Sequence, residues 1–371
     1  MIEQVNSRGA TISLESGNLK LRAPKDVLND DVIRQIQEHK QQLLDYLAEQ
    51  QGLHQTILPI HHAGPYELSR AQKRLWIIQR LGDALSSYNM AAAYELTGAV
   101  DIEPLEKAFH DLVNRHEILR TNVIVVNDEP YQQVQPENNS KFRITRIDGD
   151  GQNIEECINK ECSHEFDLEK ESLFRVTLIT ISKGKVILVL NMHHIVSDGW
   201  SIGIIFGEVI DTYTKNDKPR PLKIQYKDYA AWQNNYIRRG EMRKAEAYWH
   251  SRFETETTLL QLPLDRQRHD GPRGGGSVRG QMDITLLTQL KQLGIGNITT
   301  FSVLHALTKI LLYKYSSQLD ITIGIPISGR DLPELNNQVG FYVNTLALRT
   351  NIDPTCSFGE LLASITRETT E

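Results

Sequence analysis

The chain has 371 residues, 40% of them hydrophobic and 24% charged, with a formal net charge of −6, so it can form two globular domains of ordinary size. The negative balance, without a run of Lys and Arg, argues against nucleic acid as a partner, and no segment approaches the ~20 apolar residues that span a bilayer. Because the first residues are polar, we expect a cytoplasmic protein. The three cysteines give no disulfide framework, and Cys157 and Cys162 lack further ligands at metal-binding spacing, so we expect reduced, structural cysteines and no bound metal.

Residues 1–50 have the pattern of a small domain of their own. Apolar and polar residues alternate on both sides of Ser16-Gly17-Asn18, which predicts a β-hairpin with a short glycine-containing loop. Apolar residues at helical spacing after Asp30 or Asp31 predict an amphipathic helix. A unit this small has a thin core, so a partner strand added along the hairpin edge would help to stabilise it. Residues 51–66, rich in glycine and proline, are predicted to be a linker.

Strands and helices alternate through the rest of the chain, in two successive lobes that we assign to residues 67–235 and 236–371. In the first lobe the pattern predicts strands at Ala91–Thr97, Asn122–Val126, Tyr131–Gln135, Phe174–Ile181 and Lys185–Met192. It predicts helices from Asp101, over Ile154–Phe166, over Trp200–Tyr213 and twice within residues 225–252. In the second lobe it predicts strands at Ser277–Ile284, Ile321–Pro326 and Tyr342–Leu348, and helices over Thr299–Tyr315 and from Ser357.

The strongest functional signal is the segment from His193 to Gly199, in which two adjacent histidines are followed by an aspartate four positions after the second, and then by a glycine. It follows Val186–Leu190, a short apolar run rich in β-branched residues that predicts a buried strand, and it precedes a predicted helix. The histidines therefore lie where a rigid strand ends and a loop begins, a common location for catalytic residues. A pair of structural core histidines is the alternative interpretation. A second pair, His61-His62, has no matching aspartate and is flanked by prolines, so we assign it to the linker.

The same region contains a match to another catalytic motif. Gly199-Trp200-Ser201-Ile202-Gly203 fits Gly-x-Ser-x-Gly, the nucleophile elbow of serine hydrolases. In that elbow the strand runs directly into a sharp turn at the serine. Here the apolar strand ends near Met192, about eight residues before Ser201, so we disfavour a serine hydrolase.

Six segments, in this order along the chain, resemble the motifs of a condensation domain of a nonribosomal peptide synthetase. They are Ser69–Trp76, Arg115–Thr121, Met192–Ser201, Tyr226–Gln233, Ile325–Arg330 and Val339–Thr345. The third of them, together with Ser86–Asn89, most resembles the subtype that joins two L-configured residues. Residues 1–50 resemble the small docking domain of the tubulysin-synthetase type, mainly through the hairpin and Ala23-Pro24-Lys25.

The resemblance implies an α/β (α+β) fold of two chloramphenicol-acetyltransferase-like lobes that form a V around a substrate tunnel, preceded by a small α/β docking domain. It implies peptide-bond formation, in which the amine of a carrier-bound aminoacyl thioester attacks an upstream carrier-bound peptidyl or acyl thioester. No bound cofactor is expected, because 4′-phosphopantetheine arms of upstream and downstream peptidyl carrier proteins deliver the substrates. The docking domain would recognise the C-terminal segment of an upstream synthetase subunit, with charge contacts from Lys20, Arg22 and Lys25.

Two other hypotheses fit the same residues. An acyltransferase that uses a free amine or alcohol acceptor would need the same histidine motif, and a docking or recognition module would need no catalysis. The docking-like N-terminal residues favour a condensation domain within a multi-subunit synthetase over an acyltransferase that uses a free acceptor. The last motif of the family, a His-Gln-Asp segment before Pro-Phe-Glu, does not occur before Glu371, so we expect a fragment of a longer synthetase whose second lobe lacks a closing element.

Amide formation from a thioester and an amine requires alignment of the two reactants and a group that manages protons. An imidazole, whose ordinary pKa is about 6.5, can accept the ammonium proton or hold the amine by a hydrogen bond. By the resemblance, His194 takes this role. His193 is either a loop-orienting residue or a second catalyst, and we favour the loop-orienting role. Gly199 would let the backbone approach the thioester, and its amide could stabilise developing oxyanion charge.

Asp198 permits two interpretations. It could be a second base that faces the tunnel, or a structural anion that pairs with a buried guanidinium and fixes the loop that carries His194. We favour the structural anion, as in the family. Arg120 is the first candidate for its ion-pair partner and Arg175 is the second.

Overall fold

The computed structural model describes residues 11–15, 18–22, 56–82, 85–182, 184–215, 219–264, 276, 278–281, 283–292 and 299–369. The chain packs as two units, one of Met1–Glu241 with Ser328–Val343 and the other of Met242–Ile327 with Asn344–Glu371. Ser328–Val343 lies in the range that the sequence assigned to the second lobe, and it packs with the first unit. No helix in the described part of the chain is both long and apolar enough to cross a membrane.

Two strands of the N-terminal region are described, β1 (Thr11–Glu15) and β2 (Asn18–Arg22). They are antiparallel, and their register sets Ile12 opposite Leu21 and Leu14 opposite Leu19. The strands of the predicted hairpin are confirmed. The predicted helix after Asp30 or Asp31 and the predicted docking residue Lys25 lie outside the described residues.

The first unit contains seven further strands and five helices among its described residues. The strands are β3 (Tyr66–Glu67), β4 (Asn89–Thr97), β5 (Thr121–Val126), β6 (Glu129–Val134), β7 (Ile144–Asp148), β8 (Phe174–Ser182) and β9 (Lys185–His193). The helices are α1 (Arg70–Leu81), α2 (Ile102–Arg115), α3 (Ile154–Cys162), α4 (Gly199–Lys215) and α5 (Tyr226–Arg238).

These strands form a four-stranded sheet in the order β4-β9-β8-β7 and a three-stranded sheet in the order β3-β6-β5. In the larger sheet β7 is parallel to β8 and the other pairs are antiparallel. Strand β9 lies between two neighbours and is buried from Leu188 to His193, as expected for a strand covered on both faces. The turn between β5 and β6 lies at Asn127 and Asp128, whose φ angles of 51° and 63° suit a two-residue hairpin loop.

Part of the predicted linker packs against the first unit. Ile57 is buried, and the Ile60 N–H donates to Asp228 Oδ1 at 2.8 Å. Tyr66 begins β3 and pairs with Gln132 of β6. Ile57 and Tyr66 are therefore buried in this unit, although the glycine and prolines of residues 56–66 are typical of a flexible connection.

The second unit contains α6 (Arg243–Arg252), α7 (Ile284–Gln292), α8 (Thr300–Ser316), β10 (Asp320–Ile327), β11 (Asn344–Asn351) and α9 (Phe358–Glu368). Strands β10 and β11 are antiparallel, and α8 packs on α9 through five buried apolar residues, Val303, Ala306, Leu361, Leu362 and Ile365. Ser357 caps the last helix as predicted, through a capping box with Glu360.

The predicted strand at Ser277–Ile284 is wrong. The described residues of that range before Ile284 carry no strand, and Ile284 begins a helix. Val278 is fully exposed and Ile284 is largely exposed, so the alternating apolar positions bury no face here. Alternation predicts a strand only where one face of the strand packs on a core.

Candidate active site

The two histidines lie where the sequence predicted, between a central strand and a helix. Strand β9 ends at His193, one turn of 3₁₀ helix covers His194–Val196, and α4 begins at Gly199. The turn is anchored from two sides. The His193 N–H donates to the Leu173 carbonyl at 2.9 Å, and Gln72 Nε2 donates to the Ile195 carbonyl at 3.0 Å.

His193 is fully buried and holds the turn together. Its Nδ1 accepts the Ile195 N–H at 3.1 Å, which requires that the ring hydrogen be on Nε2. Nε2 has no hydrogen-bond partner among the described residues. Burial, with the neighbouring His194 as a second cause, lowers the pKa of His193 to about 4, so the ring is neutral near pH 7. This geometry is what a loop-orienting residue requires.

His194 is partly exposed and differs from its neighbour in how its ring is held. Its Nδ1 lies 2.7 Å from the Ser197 carbonyl oxygen. Because a carbonyl oxygen only accepts, Nδ1 carries the hydrogen, and in the neutral ring Nε2 has the lone pair that a base uses. The ring of Phe341 packs against the imidazole, with the two centroids 4.8 Å apart.

Asp198 is 1% exposed and its carboxylate is surrounded by donors. Oδ1 accepts the N–H of Ser201 at 2.9 Å, its hydroxyl at 2.7 Å and Arg330 Nη2 at 3.1 Å. Oδ2 accepts the Tyr342 N–H at 3.1 Å. The carboxylate therefore caps the first turn of α4 and pairs with a buried guanidinium. This geometry supports the interpretation of Asp198 as a structural anion.

The ion-pair partner of Asp198 is Arg330, and neither predicted partner takes this place. Arg120 donates to the Gln135 carbonyl and lies within 4.0 Å of the carboxylates of Glu117 and Glu137. Arg175 pairs with Glu161 at 3.0 Å. Both predicted arginines are thus held by nearer acceptors. The sequence did contain a signal, because Arg330 ends the fifth motif segment.

Arg330 itself is enclosed by Ser328–Val343. Its Nη1 donates to the carbonyls of Leu335 and Gln338, and its guanidinium lies 4.1 Å above the ring of Tyr342. Tyr342 in turn donates its hydroxyl hydrogen to Gln338 Oε1 at 2.8 Å. The guanidinium therefore organises the segment as well as neutralising Asp198.

Ser201 is fully buried and belongs to the same network. Its Oγ accepts the Gly340 N–H and an Arg330 N–H, both at 3.1 Å, and donates to Asp198. A serine so enclosed is not presented at the tip of a turn, as a hydrolase nucleophile must be. The geometry agrees with the sequence in disfavouring a serine hydrolase.

The second motif segment ties α2 to α4. Arg115 and the buried His116 both contact Glu208 of α4, and His116 Nδ1 also faces the Val339 N–H at 3.4 Å. Burial lowers the pKa of His116, and the contact with Glu208 opposes that shift. Glu117 extends the connection to the fourth motif segment through Lys227, at 2.7 Å.

A cavity of about 700 Å³ opens along α4 next to the site. Its lining includes Gly199, Trp200, Gly203 and Asn336, and does not include His194. A Cβ added to Gly199 would meet no atom within 4 Å. The backbone at Gly199 is therefore open to approach by another molecule, as its predicted role requires. Among the described residues no cluster of His, Cys, Asp and Glu could hold a metal ion.

Comparison with known proteins agrees with this geometry. A family model described as "Condensation domain" matches residues 62–371, and one described as "TubC N-terminal docking domain" matches residues 1–49. The chain is 33% identical to bacitracin synthase 2 of Bacillus licheniformis over 99% of this chain and 14% of the relative. It is 34% identical to gramicidin S synthase 2 of Aneurinibacillus migulanus over 89% of this chain and 7% of the relative. The chain thus spans a small part of the length of these curated relatives.

Two solved structures share the fold at lower sequence identity. The condensation domain from the monacolin K polyketide synthase MokA superimposes with a TM-score of 0.70 at 23% identity, over 82% of this chain and 72% of the other. The X-domain in its complex with OxyB from teicoplanin biosynthesis superimposes with a TM-score of 0.73 at 22% identity, over 84% of this chain and 70% of the other. Both likenesses support a mixed α/β fold of the condensation-domain type.

Proposed function

The chain belongs to the condensation-domain family, with an N-terminal docking domain of the TubC type, and from this premise we propose that it forms peptide bonds in nonribosomal peptide synthesis. The amine of a carrier-bound aminoacyl thioester attacks an upstream carrier-bound peptidyl or acyl thioester. One observation carries the proposal. A buried Asp198–Arg330 pair fixes the loop that presents His194 with its hydrogen on Nδ1 and a lone pair on Nε2.

The reaction between an amine and a thioester needs only modest activation of either reactant. An α-amine has a pKa of about 8 in model peptides, so a useful neutral fraction exists near pH 7. Its nitrogen attacks the thioester carbon, a C–N bond forms, and the zwitterionic intermediate loses an ammonium proton before the C–S bond breaks. Nε2 of His194 accepts a hydrogen bond from the amine or takes up the ammonium proton. This proton is then passed to the departing thiolate and neutralises it. General-base help contributes ~10²–10⁴-fold, and alignment of two tethered reactants contributes as much or more.

In synthetases of this family the substrates are carried on phosphopantetheine arms of carrier domains. We propose an upstream peptidyl carrier protein as donor and a downstream one as acceptor, with no resident cofactor in the condensation domain itself. The open backbone at Gly199 supports an approach of the thioester to this turn, where the Gly199 amide would donate to a developing oxyanion.

Donor and acceptor carriers, each loaded with a candidate aminoacyl thioester, test this function when they are mixed with the protein. Mass spectrometry should detect a dipeptidyl thioester on the acceptor carrier, and no product when either carrier is omitted. A product formed equally well with a free amino acid or alcohol would establish the acyltransferase alternative. Absence of product with every acceptor would favour a recognition module, a role suggested by the solved complex between an X-domain and OxyB.

The N-terminal hairpin supports a second, separate part of the proposal. Its strand edges can accept a partner strand, and Lys20 and Arg22 lie on β2, with Lys25 three residues beyond it. We propose that an acidic C-terminal segment of an upstream synthetase subunit binds here. Reversal of the three charges to Glu should weaken subunit pairing by at least about tenfold at low salt, as measured by calorimetry.

A matched control separates this site from general electrostatics. Lys223, Arg243 and Lys244 are exposed and lie outside the docking domain. Their reversal to Glu changes the net charge by the same amount and should leave pairing intact. If the two triple variants bind alike, the proposed docking residues are wrong, and the condensation function is unaffected.

A further inference from the structure

The ring of Phe341 covers the imidazole that the proposed chemistry uses. The two ring planes are inclined at 59°, with the centroids 4.8 Å apart, a favourable geometry for aromatic contact. Phe341 is 6% exposed, so its ring is held within the protein. The other described restraint on the His194 ring is the hydrogen bond from Nδ1 to Ser197. The imidazole is thus held by a hydrogen bond at Nδ1 and by its contact with the Phe341 ring.

The backbone around Phe341 is fixed at three successive residues. The Gly340 N–H donates to Ser201 Oγ at 3.1 Å, and the Phe341 carbonyl accepts the Tyr226 hydroxyl at 2.6 Å. The Tyr342 N–H donates to Asp198 Oδ2 at 3.1 Å. Asp198 and Ser201 immediately follow the turn that carries His194. The same two side chains therefore hold both the loop of the imidazole and the backbone of the ring that covers it.

Close packing leaves this backbone no freedom to shift. A Cβ at Gly340 would clash with Cδ2 of Tyr226 and would lie 2.7 Å from a ring carbon of Tyr342. The chain therefore approaches the Tyr226 ring as closely as a glycine permits. The hydroxyl of Tyr226 is itself buried and hydrogen-bonded to Ser69. The backbone that carries the Phe341 ring is thus held by groups that are themselves buried and closely packed.

We infer that Phe341 is a positioning residue for His194, which keeps Nε2 aimed in one direction by packing against the imidazole ring. The inference rests on the proposed function, in which His194 meets the attacking amine. A misplacement of about 1 Å can cost ~10²-fold in rate, so a contact that does not touch the substrate can still control turnover.

The chain offers a matched control for this contact. Phe166 is also buried and packs against the other histidine of the motif, with its ring centroid 6.1 Å from that of His193. Phe166→Leu therefore removes the same atoms, next to an imidazole that orients the turn and does not meet the amine in the proposed mechanism. A purely structural role of the two phenylalanines predicts similar effects of both substitutions.

The test compares Phe341→Leu, Phe341→Tyr and Phe166→Leu in dipeptide formation between loaded carriers. We expect Phe341→Leu to lower kcat ~10- to 100-fold with little change in the KM for the acceptor carrier. Phe341→Tyr keeps the aromatic ring and should retain most of the wild-type activity. Phe166→Leu should lower the thermal midpoint to a similar extent and leave kcat within about threefold. Wild-type kcat in folded Phe341→Leu, or an equal loss in Phe166→Leu, would overturn the inference. If Phe341→Leu does not fold, Phe341→Met takes its place.

A second readout does not depend on turnover. In protein labelled with ¹⁵N-histidine, His194 should give the signature of a single Nδ1–H tautomer. Phe341→Leu should broaden or shift that signal, and Phe166→Leu should leave it unchanged. An unchanged His194 signal in Phe341→Leu would overturn the inference even if the wild type formed no dipeptide. Failure of the wild type to form dipeptide would count against the proposed function alone.

Discussion

Asp198→Ala should destabilise the first unit severely. The substitution removes the acceptor for Arg330, for the first turn of α4 and for the Tyr342 N–H, while the guanidinium remains buried. Breaking one side of a buried ion pair costs about 3–5 kcal/mol, a large part of the 5–15 kcal/mol that stabilises a typical domain. Asp198→Asn keeps the shape and one acceptor oxygen, so its cost should be about 2–3 kcal/mol, close to that of a lost charged hydrogen bond.

A double-mutant cycle gives the coupling between the two charges. Urea unfolding followed by tryptophan fluorescence would be measured for the wild type, Asp198→Asn, Arg330→Met and the double variant. Because the double variant leaves no unpaired buried charge, it should be less destabilised than the sum of the single variants by more than ~1 kcal/mol. The exposed pair Lys73–Glu129 is the control, and its coupling should stay below ~1 kcal/mol.

The ion-pair account would be refuted by a coupling near zero between Asp198 and Arg330. It would equally be refuted by Asp198→Ala that is fully folded and reduced only in its rate of reaction. That second result would return Asp198 to the role of a base, the interpretation disfavoured by its five donor contacts.

Three further predictions concern the same region. The pKa of His193 is about 4 when folded and about 6.5 when unfolded, so its stabilising contribution is present above pH 6.5 and is lost as the pH falls toward 4. Between pH 7.5 and pH 5 the free energy of unfolding, measured with urea, should therefore fall by about 2 kcal/mol more in the wild type than in His193→Asn. An equal fall in both proteins would contradict the lowered pKa. Gly340→Ala should lower the free energy of unfolding in urea by ~1–3 kcal/mol, because its Cβ would clash with an aromatic ring. Gly203→Ala has open space around its Cβ and should not destabilise the protein. Equal effects of the two substitutions would contradict the close packing at Gly340. A fluorophosphonate should not label the buried Ser201 in folded protein, and labelling would revive the hydrolase interpretation.

The local part of the site could be predicted from the sequence. The apolar run before His193 and the helical spacing after Gly199 fix the strand, the turn and the helix, because periodicity reports which faces are buried. The same kind of signal was misleading at residues 277–284, where alternation exists without a core to pack against. Periodicity describes a segment, and the burial that gives it meaning depends on the rest of the fold.

The long-range part of the site could not be predicted from the residues alone. Arg330 is 132 positions from Asp198, and no local pattern says which arginine approaches which carboxylate. Arg120 and Arg175 were nearer in sequence and equally plausible by composition. The contact of Phe341 with His194 depends on Ser328–Val343 packing with the first unit, and that packing has no periodic signature. Membership of Arg330 and Phe341 in the last two motif segments was the available clue.

The most direct test of the account is the single-turnover rate of dipeptide formation with His194→Ala, beside the wild type and His61→Ala. His61 belongs to the other histidine pair of the chain and is exposed. The account predicts a loss of ~10²–10⁴-fold for His194→Ala, with an intact unfolding transition, and a wild-type rate for His61→Ala. Undiminished coupling in folded His194→Ala would contradict the claim that this imidazole serves the reacting amine.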